Sequence, residues 1–318
     1  MTQRSKAFFL NGGAGRMLCS IPALELYEQE SGDTEFVIVC EGGTDMFKGH
    51  PKLHKRAYDP WHKNLFDDVI KHRQVINPEP YQVWEYYNQE CSLSQAFDIL
   101  LNNKGIRELE KPFVNLSKDE LLVGRKLVNE VKEKIKKDKV LVIQPFGRGI
   151  EIMDDTPIDV TARSFEFKDL KQMIKKLEKD YAIMSEMKME LKGEGLKNEV
   201  AMPEGLSLRQ WAGMIKFCDH FLGCDSVGQH LAYAVGTPTT AVIGATFPIN
   251  VSYPDAEGIN IIDLGMNDRL YDPIRITQDE TVNRHNEKLM QMDEAIQDYI
   301  ISVVKGEHNP QEDKDLSK

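Results

Sequence analysis

The sequence predicts an α/β protein made of two doubly wound, Rossmann-like domains, and three observations lead to this prediction. Short apolar runs alternate with segments whose apolar residues recur at helical spacing, which is typical of parallel strands joined by crossover helices. Two of the runs, AFFL (7–10) and the start of KVLVIQPFGRG (139–149), lead directly into glycine-containing loops. The 318 residues suffice for two domains of about 150 residues each.

The first domain is expected to begin as strand, loop, helix and strand. The apolar run at 7–10 is followed by the loop NGGAGR (11–16), and helical spacing then extends from Met17 to Glu28. EFVIVCEGG (35–43) has the pattern of a buried strand that ends in glycines. Residues 44–87 are rich in His, Pro, Trp and Tyr and have no clean period, so we expect loops and short elements that carry a binding surface.

The junction between the domains is predicted at residue 138, after an amphipathic helix within 116–139. Ser117 and Glu120 have the spacing of a capping box at the start of that helix. The alternation of helices and strands resumes after the junction. We therefore expect four parts, namely a first domain of residues 1–138, a second of 139–285, an apolar-striped terminal helix at 286–305 and a polar, disordered tail at 306–318.

Composition excludes several classes of protein. The formal charge of −11 comes from 51 acidic and 40 basic residues, so the overall field does not steer the chain to nucleic acid, although a local basic cleft could still bind phosphate. The five cysteines form no CxxC pair, which fits a reduced cytosolic protein. The N-terminus lacks a signal-peptide core, and no apolar run approaches the roughly 20 residues of a membrane span. We expect a cytoplasmic protein without a transmembrane segment.

The most informative stretch is CDHFLGCDSVGQHLAYAVGTPTTAVIGATFP (218–248). A strand is predicted to end at Asp225, and a helix to begin near Gly228 after a tight turn. Loops at the carboxyl ends of parallel strands bind ligands, and helix N-termini favour anions, so a diphosphate is the natural ligand of this turn. Ser226 would offer a hydroxyl and His230 lies one turn further on. The alternative is that Asp225 and Ser226 only cap the helix and that His230 is a packed histidine.

This stretch resembles glycosyltransferase family 9, which includes the ADP-heptose:lipopolysaccharide heptosyltransferases. Asp225 and His230 keep the family's spacing, Ser226 replaces its threonine, and Val227 stands where the family has glycine. The family's later glycine, threonine and proline positions are matched by Gly236, Pro238, Gly244, Thr246 and Pro248. The likeness extends to QPFGRG (144–149) and, more weakly, to Arg163 and Phe165. It implies the GT-B fold, in which two Rossmann-like domains face a cleft and a C-terminal helix crosses back, and a nucleotide-sugar donor.

The likeness also covers the first glycine loop. GAGRMLCSIPAL (13–24) matches a family motif in its glycines and in PAL, but Arg16 stands where the family has the aspartate that acts as general base. Arginine does not lose its proton in a protein. We therefore expect Arg16, with Gly13 and Gly15, to bind an anion, either the donor diphosphate or an acidic acceptor. The alternative is a surface arginine of the first helix.

An inverting transfer then needs either an acceptor that is already a good nucleophile or another residue as base. Glu41 and Asp45, in EGGTD after the second strand, are the candidates, followed by His50; individually each could be a loop cap or a solvated side chain. The aromatic cluster in EPYQVWEYYNQE (79–90) could stack on an acceptor or fill the core of the first domain.

These observations predict a glycosyltransferase that moves a sugar from a nucleotide-diphosphate sugar to an acceptor hydroxyl, inverting and independent of metal or other cofactor. The acceptor would be a glycan, a lipid-linked sugar or a modified nucleic acid. Asp45, Glu41 and Arg16 are the expected catalytic residues. The residues expected to bind the donor are Gly13, Gly15, Arg16, Gly147, Arg148, Arg163, Asp225, Ser226, Gly228 and His230. Two alternatives remain, a transferase acting on a modified base of nucleic acid and a non-catalytic protein that binds nucleotide sugars.

Overall fold

The computed structural model describes residues 4–147, 150–153, 156–159, 161–185, 197–198, 200–201, 203–270 and 288–310. The chain divides into two compact units, and the division falls between Ser117 and Lys118. Each described sheet of more than two strands is parallel and is accompanied by helices, as the sequence predicts. Arg148, which was expected to bind the donor, and residues 311–318 of the predicted tail lie outside the described residues.

The first unit contains a four-stranded parallel sheet in the order β3-β2-β1-β4. Its strands are β1 (Lys6–Leu10), β2 (Val37–Cys40), β3 (Ala57–Tyr58) and β4 (Gln74–Ile76). Its helices are α1 (Ala14–Ser31), α2 (Trp84–Tyr87) and α3 (Leu93–Asn102). Residues 44–87 otherwise form short turns of helix, including Asp45–Phe47, His54–Arg56 and Leu65–Ile70. This arrangement agrees with the short elements expected there.

Aromatic packing holds α1 on this sheet. The rings of Phe8, Tyr27 and Phe36 meet edge to face, with centroids 4.8 to 6.1 Å apart. Ser92 and Gln95 form a capping box that fixes the start of α3. Asn102 at the end of α3 donates a 3.0 Å hydrogen bond to the carbonyl oxygen of Ala23 in α1. The two helices are therefore tied to each other as well as to the sheet.

The second unit contains a five-stranded parallel sheet and a short antiparallel hairpin. Its first helix is α4 (Lys118–Ile135), and its sheet, in the order β11-β10-β9-β5-β8, is formed by β5 (Lys139–Gln144), β8 (Tyr181–Ser185), β9 (His220–Cys224), β10 (Thr239–Ile243) and β11 (Ile259–Asp263). The hairpin strands are β6 (Ile150–Met153) and β7 (Thr156–Asp159). The remaining helices are α5 (Phe167–Leu177), α6 (Leu208–Phe217), α7 (Val227–Val235), α8 (Pro248–Val251) and α9 (Glu294–Lys305).

Helix α4 belongs to the second unit, although the sequence placed it before the junction at residue 138. A glycine pair explains the difference: a Cβ atom added at Gly124 of α4 would lie 2.2 Å from the carbonyl carbon of Gly213 in α6. Arg209 of α6 donates hydrogen bonds of 2.7 and 2.9 Å to the Glu120 carboxylate of α4. The amphipathic pattern identifies such a helix, but it does not say which sheet the apolar face covers.

Helix α9 is the described part of the predicted terminal helix, and it packs in the core of the second unit. Ile300, Val303 and Val304 are buried in one apolar cluster with the inner residues of α5. The Asp293 side chain caps the helix by accepting a 2.9 Å hydrogen bond from the Ile296 N–H. In the described part of the chain, no helix is long and apolar enough to cross a membrane.

A buried histidine makes the stability of the second unit sensitive to acid. His220 of β9 lies against Thr240 of β10, with 2.8 Å between Nε2 and Oγ1, and burial lowers the pKa of His220 to about 4. Because the folded state favours the neutral ring, this stability is fully present above the unfolded pKa of about 6.5 and is lost as the pH falls through 4.

We expect His220→Gln, which cannot titrate, to remove about 3 kcal/mol of the loss in unfolding free energy between pH 6.5 and pH 4. Urea titrations of the variant and the wild type across that range measure the difference. Gly105→Ala, which changes no titratable group and meets no neighbour within 4 Å, is the control and should leave the pH dependence unchanged. Equal pH dependence of the wild type and His220→Gln would contradict the assignment.

Candidate functional site

Most of the described residues expected to bind a donor lie at one edge of the second sheet. Strands β5, β9 and β10 are parallel neighbours, so their carboxyl ends are adjacent. The loop after β5 contains Gly147, the turn after β9 contains Asp225 and Ser226, and the loop after β10 contains Thr246. Helix α7 begins at this edge, and its N-terminal backbone amides carry a partial positive charge. The sheet therefore brings together segments that are up to a hundred residues apart in sequence.

Gln144, at the end of β5, organises the turn after β9 and was missed by the sequence analysis. Its Oε1 atom accepts a 2.8 Å hydrogen bond from the Gly228 N–H, and its Nε2 atom donates a 3.2 Å bond to Ser226 Oγ. A Cβ atom added at Gly228 would lie 2.3 Å from Gln144 Oε1 and 2.5 Å from the Phe221 ring. Glycine fits here because a side chain would clash with Gln144 and Phe221. The Gly228 N–H already has Gln144 as its hydrogen-bond partner. The sequence signal for this role of Gln144 was a polar residue at the end of an otherwise apolar strand.

Asp225 links the loops that follow β9 and β10. The residue is 7% exposed, and its carboxylate accepts hydrogen bonds of 2.9 Å from Thr246 Oγ1 and 3.3 Å from Gln229 Nε2. The Arg163 guanidinium lies 3.9 Å away. Asp225 is therefore a buried acceptor that fixes two loops and places negative charge beside Arg163.

A second carboxylate, Asp159, organises the loop that carries Arg163. The backbone N–H groups of Thr161 and Ser164 donate to it at 2.8 and 3.1 Å, and both hydroxyls also donate. Burial acts to raise the pKa of Asp159, but these hydrogen bonds and the Arg163 charge outweigh it, so the pKa is lowered. Ser164 Oγ in turn accepts a 2.9 Å bond from the Gly147 N–H. These contacts fix the loop that places the Arg163 guanidinium, about a quarter exposed, at this edge.

His230 and Ser226 differ in their accessibility. His230 is 7% exposed, and its Nδ1 atom lies 2.8 Å from the hydroxyl of Tyr253. This packing corresponds to the alternative in which His230 is a structural histidine. Ser226 is the N-cap residue of α7, but its side chain makes no capping hydrogen bond and is half-buried. Its hydroxyl is held instead by Gln144, which orients it at the helix start.

A cavity of about 240 Å³ lies beside this turn, at the carboxyl end of β8. It is lined by Ser185, Pro203, Gly205, Leu206, Leu208, Trp211 and Met214. The Trp211 ring also borders Gly228, because a Cβ atom there would lie 3.0 Å from Trp211 Cη2. Leu206, Trp211 and Met214 contribute apolar side chains to a lining that also exposes polar atoms. A small space of this kind suits a flat ring with polar edges next to the turn.

In the first unit, the glycine loop is tied to two glutamates at the carboxyl edge of the sheet. The Gly12 N–H donates a 2.7 Å hydrogen bond to the Glu41 carboxylate, and Asn11 Nδ2 donates a 3.1 Å bond to Glu79. Gly12 has φ +89°, and a Cβ atom at Gly42 would lie 2.7 Å from its carbonyl oxygen. Gly13 is the N-cap residue of α1, and Gly15 lies within its first turn.

Arg16 is buried, and its counter-charge comes from the protein. The side chain donates a 2.8 Å hydrogen bond to the Glu79 carboxylate and a 3.4 Å bond to the Pro78 carbonyl oxygen. The guanidinium lies over the rings of Tyr81 and Phe97, 4.8 and 5.7 Å from their centroids. Arg16 is 6% exposed, so it is not the surface arginine that the sequence left as an alternative. The anion that it binds in this structure is Glu79, a residue the sequence analysis did not select.

The expected bases lie on the segment after β2. Glu41 follows the carboxyl end of the strand and is exposed, while Asp45 is the exposed first residue of a short helical turn. His50 is buried, and its Nδ1 atom accepts hydrogen bonds from the Lys52 and Leu53 N–H groups. Its ring therefore fixes the loop.

The aromatic cluster at 79–90 divides between the core and the surface. Tyr86 is buried, and its ring meets Tyr81 edge to face at 5.3 Å, next to Arg16. Trp84 is 56% exposed. Tyr86 therefore fills the core of the first unit, and Trp84 lies at its surface. Among the described residues, no group of three or more His, Cys, Asp or Glu side chains is arranged to hold a metal ion.

The Arg16–Glu79 pair should be strongly coupled. Arg16→Met leaves Glu79 without its cation, and Glu79→Gln leaves a buried guanidinium without its anion, so each single change should cost at least about 1.5 kcal/mol of unfolding free energy. The double variant should lose less than the sum by about 1 kcal/mol or more, as measured by urea titration. Additive losses would show that the pair is not coupled.

Gly228→Ala tests the packing around Gln144. The added methyl group meets Gln144 and Phe221, so we expect a loss of about 1 to 3 kcal/mol of unfolding free energy. Gly105→Ala is the matched control, because a Cβ atom there has no neighbour within 4 Å, and should change stability by less than about 0.5 kcal/mol. A Gly228→Ala variant as stable as the control would refute this packing.

The chain is similar to three solved glycosyltransferase structures along nearly its whole length. One is a glycosyl transferase family 9 protein from Veillonella parvula DSM 2008, with TM-score 0.62 at 10% identity, covering 97% of this chain and 99% of that one. Another is the dodecameric, iron-containing glycosyltransferase TibC from enterotoxigenic E. coli H10407, with TM-score 0.61 at 11% identity, covering 96% and 77%. The third is E. coli ADP-heptose LPS heptosyltransferase II, with TM-score 0.56 at 10% identity, covering 95% and 99%.

No protein-family model matches the chain, and no curated protein matches it in sequence. At this level of identity, the structural similarity establishes the fold. The chain has the α/β, GT-B type of fold seen in these glycosyltransferases, as the sequence predicts.

Proposed function

We propose that this protein is a glycosyltransferase related to family 9, which moves a sugar from a nucleotide-diphosphate sugar to an acceptor hydroxyl with inversion and without a metal ion. The observation that carries the proposal is the arrangement at the carboxyl edge of the second sheet. There Arg163, the start of α7 and a cavity bordered by Trp211 adjoin one turn. The names of two similar structures, TibC in complex with ADP-D-beta-D-heptose and ADP-heptose LPS heptosyltransferase II, support a nucleotide-sugar donor.

The donor would bind in two parts. A cavity of about 240 Å³ is smaller than the pockets of roughly 300 to 1,000 Å³ that hold whole drug-sized ligands, so it suits the nucleobase alone. The diphosphate would then lie over the start of α7, where the backbone amides and the Ser226 hydroxyl can donate to it. Arg163, and Arg148 outside the described residues, would supply positive charge. Gly147, Asp225, Gly228 and His230 would act by holding these donors in place.

The reaction needs charge stabilisation and one proton acceptor. As the acceptor oxygen bonds to the anomeric carbon, the bond from that carbon to the diphosphate breaks, and the nucleoside diphosphate leaves with the electron pair. Arg163 and the helix N-terminus would stabilise that leaving group without a metal ion. The acceptor's proton would pass to a carboxylate of the first unit, with exposed Glu41 as the first candidate and Asp45 as the second.

Arg16 would contribute indirectly. Gly13 and Gly15 set the start of α1, and Arg16 in its first turn holds Glu79 beside the glycine loop. In this proposal Arg16 is a positioning residue for the carboxylates at this edge, and the donor diphosphate belongs to the second unit. The non-catalytic alternative would keep the donor site and lack turnover. We propose a cytoplasmic location for the reaction.

Thermal shift with ADP, UDP, GDP, CDP and dTDP tests the donor site. A diphosphate present at about 100 times its Kd should stabilise the fold by about 2.7 kcal/mol. Calorimetry with the best nucleotide should give a Kd about 10- to 100-fold weaker for Arg163→Met and for Leu206→Trp, which fills the cavity. Arg125→Met, on α4, is the matched control and should bind normally.

Two outcomes would count against the proposal. Absence of stabilisation by every nucleoside diphosphate would refute a donor site of this kind. Binding that is unaffected by both Arg163→Met and Leu206→Trp would place the nucleotide elsewhere.

A further inference from the structure

One segment of the first unit is rich in positive charge that the donor site does not explain. Residues 48–66 contain five Lys or Arg side chains and one acidic residue, in a chain whose net charge is −11. Arg56 is engaged, because it donates to Glu28 at 2.8 Å. The four lysines of the segment, Lys48, Lys52, Lys55 and Lys63, are exposed and form no ion pair with the described residues. These charges are available to an anionic partner.

The same segment contains two exposed aromatic residues. Trp61 is 92% exposed and Phe66 is 65% exposed, although rings of this size are usually packed. We call these two rings and the four lysines the lysine–aromatic surface. The segment that carries this surface contains β3, the edge strand of the sheet. No described strand pairs with the outer side of β3.

We propose that the lysine–aromatic surface binds single-stranded nucleic acid. Unpaired lysines neutralise a phosphate backbone, and exposed aromatic faces stack on bases that are not paired, so the two features together match a single strand. A bilayer fits less well, because insertion needs a continuous apolar face. Here Trp61 and Phe66 are separated by four residues, three of them polar: His62, Lys63, Asn64 and Leu65. A neutral glycan would use the rings and leave the lysines without a role.

The position of the surface bears on the acceptor, and this step rests on the proposed glycosyl transfer. Trp61 and Lys63 lie in the loop that follows the carboxyl end of β3, and Glu41 follows that of its parallel neighbour β2. This part of the surface and the candidate base thus leave adjacent strands at the same edge, whereas Lys48, Lys52 and Lys55 lie on the connection that leads from β2 to β3. A strand bound there would bring one of its nucleotides to Glu41, so the acceptor hydroxyl would be carried by nucleic acid.

Fluorescence anisotropy with the full-length protein and a fluorescein-labelled, mixed-sequence DNA of about 20 nucleotides tests the proposal. With four phosphates neutralised, affinity should fall about 50-fold between roughly 50 and 200 mM salt. The variant with Lys48, Lys52, Lys55 and Lys63 all changed to Gln should lose most of this salt dependence. Trp61→Ala should weaken binding about 5- to 100-fold.

The matched control changes four exposed lysines of the second unit, Lys118, Lys126, Lys134 and Lys136, to Gln, and should bind the DNA within about 2-fold of the wild type. Equal losses in both four-lysine variants, or no binding at low salt, would overturn the proposal. So would a preference for phosphatidylserine vesicles over the DNA. Nucleoside diphosphate binding is measured separately. If the protein binds a nucleoside diphosphate but no DNA, only this inference fails. If the protein binds DNA but no nucleoside diphosphate, only the proposed transfer fails.

Discussion

Parallel strand pairing is the constraint on which the candidate site depends. Because β5 pairs in parallel with both β8 and β9, the loops after these strands leave the sheet at one edge. Gln144 then ties the end of β5 to the turn after β9 through two hydrogen bonds. Asp225 ties that turn to the loop after β10. Arg163, the start of α7 and the cavity beside Trp211 obtain their positions from this set of links.

Parallel strand pairing also brings side chains together at one edge of the first unit's sheet. The loops after β1, β2 and β4 leave its sheet together, which brings Asn11, Glu41 and Glu79 around one glycine loop. Arg16 adds a cation where the resembling family has an acid. Burying that cation is costly, and Glu79 offsets the cost at 2.8 Å. Glu79, in the segment after β4, therefore places a carboxylate beside the start of α1.

The sequence predicted the fold and the strand, turn and helix around Asp225, because apolar periodicity and glycine loops are local signals. It did not predict the partners of individual side chains, which depend on contacts between distant segments. Gly228 illustrates this: its place at a helix start suggested phosphate contact, whereas Gln144, 84 residues away, occupies its N–H. Glu79 was missed for the same reason, since only the pairing of β1 with β4 brings it to Arg16. Helix α4 was recognised, but Gly213 decides which unit it joins.

A crystal structure with the nucleoside diphosphate that stabilises the protein most would test the central claim most directly. We expect the base in the cavity bordered by Leu206 and Trp211 and the diphosphate over the start of α7. A guanidinium nitrogen of Arg163 should lie within hydrogen-bond distance, about 2.7 to 3.2 Å, of a phosphate oxygen. A diphosphate bound at Arg16, or a nucleotide bound away from the carboxyl edge of the second sheet, would contradict it.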